Sequence, residues 1–68
     1  MEKRSLTIAG HRTSIALEPE FWAALYTVAA ARDLPVSQLI AEIDQSRQTG
    51  NLSSAIRVAV LQHFRGEQ

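Results

Sequence analysis

Few residues in this 68-residue chain are equipped for covalent chemistry. There is no cysteine, so neither a thiolate nucleophile nor a thiolate metal cluster can form. The two histidines, His11 and His63, do not make a zinc site between them. Glu42 and Asp44 lie two positions apart, and on a helix they would point to different faces. No Ser, His and Asp stand at a recognisable catalytic spacing, and no glycine-rich phosphate loop is present. The chain reads as non-enzymatic, with no metal and no cofactor. What remains is hydrogen-bonding chemistry. In Arg12-Thr13-Ser14-Ile15-Ala16-Leu17 the side chains alternate, so Arg12, Ser14 and Ala16 share one strand face and Thr13, Ile15 and Leu17 the other.

The charge distribution favours the same end of the chain. The net charge is zero, which weakens attraction to a phosphate backbone. Residues 1–17, however, carry Lys3, Arg4 and Arg12 against Glu2, a local excess of two positive charges. Residues 18–68 carry a matching negative excess.

These side chains need a scaffold, and the chain is long enough for one domain, 1–68. Domains this short usually need a disulfide, a metal or oligomerisation. With the first two excluded, a homo-oligomer is expected. No apolar run approaches the length of a membrane span, and Met1-Glu2-Lys3-Arg4 leads into no signal-type apolar region. A cytoplasmic protein without membrane contact is expected.

The elements follow from period and punctuation. Residues 12–17 alternate as a strand. Residues 1–11 are an arm or an extra strand, interrupted at Gly10, which marks a bulge, a bend or a turn. At Glu18-Pro19-Glu20 the period changes, with proline and acids suited to a first helical turn. Phe21, Leu25, Val28 and Ala29 then mark a helix over 19–32. Val36, Leu39, Ile40 and Ile43 mark a second over 36–46. Gln48-Thr49-Gly50-Asn51 reads as a loop with Asn51 as an N-cap. Leu52, Ile56, Ala59, Val60 and Phe64 mark a third helix over 52–65, widened by Val58 and Leu61. The class is mainly α with one short β-strand. A lone strand leaves unpaired backbone groups, and the simplest remedy is pairing with the same strand of a second copy.

Here the sequence resembles the ribbon-helix-helix family of DNA-binding proteins, of which the Arc and Met repressors are members. The resemblance rests on Arg12-Thr13-Ser14-Ile15-Ala16-Leu17, on Glu18-Pro19-Glu20-Phe21-Trp22-Ala23-Ala24-Leu25 and on Leu34-Pro35-Val36-Ser37-Gln38-Leu39-Ile40. The run from Lys3 to Trp22, with the late NLSSAIRVAVLQHF, is more closely similar to a short, stand-alone bacterial subfamily. The resemblance covers nearly the whole chain.

It implies an intertwined homodimer with an intermolecular two-stranded antiparallel ribbon, plus a third C-terminal helix beyond the basic pattern. It implies double-stranded DNA as partner and a bacterial transcriptional repressor or autoregulator, with higher-order assembly on DNA. Base readers would be Arg12, Ser14 and Ala16. Arginine can donate a bidentate pair to guanine, serine can donate or accept, and alanine can touch a thymine methyl. Phosphates would be met by Lys3, Arg4, Val36 and Ser37, the last two through free N–H groups at a helix start. The dimer core would be Ile15, Leu17, Phe21, Leu25, Leu39, Ile40, Ile43, Ile56 and Val60. An alternative alignment makes 52–65 the family's second helix, moves the phosphate site to Ser53 and Ser54, and leaves 36–46 as an insertion.

Two rival functions share the fold. One is an antitoxin-type regulator with a toxin-like protein partner, which is less favoured because only Gly66-Glu67-Gln68 follows the last helix. The other is a DNA-free dimeric interaction module, which neutral charge and Ala16 would suit.

Overall fold

The computed structural model describes residues 1–47 and 50–66. The chain begins with two strands, β1 (Glu2–Ile8) and β2 (His11–Leu17), and continues with α1 (Pro19–Ala31), α2 (Val36–Ser46) and α3 (Leu52–Phe64). Of the expected loop, Gln48 and Thr49 lie outside the described residues.

The ribbon differs from the sequence expectation. It contains two strands of the same chain, not one, and they pair antiparallel from Glu2 opposite Leu17 to Ile8 opposite His11. The physical reason lies in Ala9-Gly10. Both residues adopt positive φ, 53° and 84°. Two such residues in a two-residue loop give the tight turn whose twist matches that of the flanking strands. Gly10 takes this conformation without steric cost, whereas Ala9 carries a Cβ into it. Replacing Ala9 with asparagine, which tolerates the left-handed region better, should stabilise the hairpin by roughly 0.5–1 kcal/mol. In a domain of this size that raises the melting temperature by about 2–8 °C in a calorimetric scan. An unchanged or lower melting temperature would show that Ala9 is not strained.

The first helix starts at Pro19, whose missing N–H is not needed there. It stops where Asp33 adopts φ 57°. The Asp33 N–H bonds to the Ala30 carbonyl and the Leu34 N–H to the Ala29 carbonyl, closing the helix end with a paired C-cap. Pro35 then precedes α2. Asn51 caps α3, its side chain accepting from the Ser54 N–H at 2.9 Å.

The hairpin lies on the helices, with α2 against β1 and α3 and α1 against β2. Alternation sends Ile8, Ile15 and Leu17 into a core completed by Trp22, Leu25, Val28, Ala29, Leu39, Ile40, Ile43, Ile56 and Val60. Of the residues expected to form a core shared by two chains, Phe21 is only partly buried and the others are buried within one chain.

Glu42 and Asp44 pair with Arg32 and Arg47. The Arg57 guanidinium instead donates to both carboxylate oxygens of Glu18, at 2.9 and 3.2 Å, tying α3 to the start of α1. The hydrogen bond from Arg57, followed by one from the Glu18 backbone, holds the Glu18 carboxyl below its ordinary range. Its folded value therefore lies below the unfolded value of about 4.3. Its contribution is present above that pH and is lost as pH falls towards the folded value. Below about pH 4.5 the wild type should lose melting temperature more steeply than Glu18→Gln. Parallel acid profiles for the two proteins would remove this link.

Candidate nucleic-acid interface

The hairpin has two chemically distinct faces. The inner face meets the core. The outer face presents Lys3, Ser5 and Thr7 from β1 opposite Ala16, Ser14 and Arg12 from β2. All but the half-buried Ala16 are exposed. The hydroxyls of Ser5 and Ser14 lie 3.4 Å apart across the strands. No acidic residue stands on this face, because Glu2 has the inward parity of β1.

The electrostatics of the face follow from which cations are already engaged. Arg4, Arg32, Arg47 and Arg57 each form an ion pair, with Glu2, Glu42, Asp44 and Glu18 respectively. Among the described residues Lys3 and Arg12 meet no carboxylate. A chain of zero net charge thus presents one acid-free, hydroxyl-rich surface with two unpaired cations. Such a surface can donate hydrogen bonds to phosphate oxygens and to the acceptor edges of bases.

Arg4 is placed differently from its expected role in a phosphate-contacting arm. Strand alternation turns it inward. Its guanidinium pairs with Glu2, lies 4.8 Å from the Trp22 ring centroid and 5.5 Å from that of Tyr26, and donates to the Tyr26 hydroxyl at 3.1 Å. The Trp22 indole N–H donates to the Glu2 carbonyl at 2.8 Å. Arg4 thus fastens β1 to α1 in the single chain.

Val36 and Ser37 begin α2 and are half-buried. Pro35 supplies no side-chain cap, and its carbonyl accepts from the N–H groups of Gln38 and Leu39. The first turn of α3 differs, since Asn51 already occupies the Ser54 N–H. Ser5 and Thr7 were not singled out from sequence. Their alternation with Leu6 and Ile8 was visible, but their place on the face depended on the turn at Ala9-Gly10.

This arrangement, a basic outer ribbon face over a helical layer, can be compared with known proteins. The family model for the ribbon-helix-helix domain matches residues 1–64. The chain belongs to the ribbon-helix-helix family. Comparison with curated proteins and with solved structures gave no match. Ribbon-helix-helix domains commonly bind DNA, typically dimerise, and are generally non-enzymatic regulatory modules. In this ribbon-helix-helix domain, no helix among the described residues is long and apolar enough to cross a membrane.

Proposed function

We propose that this ribbon-helix-helix domain binds double-stranded DNA in a sequence-specific manner. It acts as a homodimeric, cytoplasmic bacterial repressor or autoregulator. The observation that carries this reading is the outer hairpin face, where the unpaired cations Lys3 and Arg12 flank hydroxyls with no acid among them. In the major groove Arg12 and Ser14 would read base edges, with Ala16 against a thymine methyl or leaving room. Lys3 would meet phosphate. The uncapped first amides of α2, at Val36 and Ser37, would hold a second phosphate against the positive end of the helix dipole.

The test is retention of random genomic fragments across a salt series, followed by sequencing. Enrichment of a short palindrome or direct repeat is expected, with affinity falling as salt rises. No enrichment at low salt by the folded protein would overturn the reading. A second reading is favoured by one observation, the exposed Val58, Leu61 and Phe64 on α3. They suit a protein partner, and a DNA-free interaction module would show no salt-dependent affinity for any fragment.

A further inference from the structure

The outer face of the hairpin is built from cross-strand pairs, and the register decides how closely each pair meets. In a two-residue hairpin the closing pair, Ile8 and His11, exchanges ladder bonds, and every second pair does the same. The pairs between them are Thr7 with Arg12, Ser5 with Ser14 and Lys3 with Ala16, and these are the non-bonded ones. In a non-bonded antiparallel pair the Cα atoms lie about 4.5 Å apart, and the side chains stand closer than in a bonded pair. All three pairs belong to the outer face, and Ser5 with Ser14 is the middle one.

The short side chains of Ser5 and Ser14 bring two exposed hydroxyls within 3.4 Å of each other, and either can donate to the other. Each hydroxyl has one proton and lone pairs that accept. When one proton is spent between the two oxygens, a single proton is left to donate outward. Lone pairs on the neighbouring oxygen remain free to accept. The oxygen that accepts within the pair becomes the better outward donor, because hydrogen bonds in a chain polarise one another. The pair therefore sets one donor beside one acceptor. A carboxamide side chain offers the same arrangement from a single residue.

Base edges in the major groove answer differently to such a pair. Adenine presents its N7 acceptor beside its N6 amino donor, and carboxamides read the two together. Guanine presents two acceptors, N7 and O6. One outward proton serves adenine in full and leaves one guanine acceptor unmet. To serve guanine, the two hydroxyls would have to give up their mutual bond. Arg12 has several donors and no acceptor, so its preference is the reverse.

We infer that Ser5 and Ser14 together read one adenine, as a carboxamide split between two strands, while Arg12 reads a guanine. This reading of adenine rests on, and deepens, the DNA binding proposed above. It adds Ser5 to the residues that determine sequence, and it makes β1 a reading strand as well as a support for β2.

The test uses the duplex selected from genomic fragments, with each adenine replaced in turn. In one series 7-deazaadenine removes the N7 acceptor, and in the other unsubstituted purine removes the N6 donor. At one adenine both replacements should weaken wild-type binding, each by roughly 2- to 12-fold, the loss of a single hydrogen bond. Ser5→Ala and Ser14→Ala should each respond to at most one of the two replacements at that adenine. Both variants should discriminate less between adenine and guanine there. Both side chains are exposed on the outer face, so native circular dichroism is expected in each variant. Arg12→Ala should keep the adenine effects and lose preference at a different base pair. Ser5→Ala with unchanged preference at every base pair would overturn the paired reader. So would a loss of affinity spread evenly over all sequences, which is the mark of a phosphate contact. In both cases a lost preference in Arg12→Ala leaves the DNA reading standing. Failure to select any duplex ends the DNA reading and the paired reader with it.

Discussion

Replacing Trp22 with alanine should remove a large part of the protein's stability. The side chain is 1% exposed and is among the largest in the core. Truncating a buried tryptophan costs roughly 3–5 kcal/mol in lost burial and residual cavity. The substitution also removes the donor to the Glu2 carbonyl and the ring beneath the Arg4 guanidinium. Both losses fall on the junction between β1 and α1, so the hairpin loses its fastening as well as its floor. At roughly 0.05–0.15 kcal/mol per residue, a chain of this length has a total stability of about 3–10 kcal/mol. The loss is thus a large part of the whole. Urea titration followed by circular dichroism checks it. A midpoint within error of the wild type would contradict the packing described. Trp22→Phe keeps a six-membered ring but loses the hydrogen bond and part of the buried volume, and should cost less, roughly 1–3 kcal/mol.

Replacing Arg12 with alanine should leave the fold intact and damage DNA binding. Arg12 is exposed, carries no ion pair among the described residues and contributes nothing to the core. If it donates a bidentate pair to a guanine, its loss should cost roughly 1–3 kcal/mol, or about 5- to 150-fold in affinity for the selected site. Preference at the contacted base pair should relax as well. Lys3→Ala should behave differently. A phosphate contact carries no sequence information, so affinity should fall evenly across sequences and the salt dependence should become shallower by about one charge. Competition binding with the selected duplex and single-base variants separates the two. If Arg12→Ala retains both affinity and preference, Arg12 is not a reader.

The contrast between Arg12 and Arg4 shows what the sequence could and could not convey. Strand alternation alone put Arg12 and Ser14 on one face and Ile15 and Leu17 on the other. The structure has them so, because parity is a local property of an extended chain. The helices were legible for a similar reason. Val36, Leu39, Ile40 and Ile43 recur at helical spacing, and three of the four are buried. Arg4 was not legible. Its neighbours Trp22 and Tyr26 lie about 20 positions away, and a cation tucked over two rings reads in sequence like a cation in water. The Arg57 and Glu18 pair, 39 positions apart, was hidden in the same way.

The missing strand has a different cause. Residues 4–8 already alternated, but the turn signal was weak. Alanine where asparagine or aspartate is usual leaves Gly10 readable as a bulge or a bend as well as a turn. With β1 undecided, β2 reads as a lone strand that a second chain would pair. The hairpin removes that argument while leaving the other edge of β2 open. The case for two copies then rests on the family, whose domains typically dimerise, and not on a lone strand.

Titrating isotope-labelled protein with its selected duplex, and following each backbone amide by NMR, shows whether the outer face of the hairpin meets DNA. The largest shifts should fall on Lys3, Ser5, Thr7, Arg12, Ser14 and Ala16, with smaller ones at Val36 and Ser37. Shifts confined to the exposed side of α3, or none in the hairpin at saturating duplex, would contradict it.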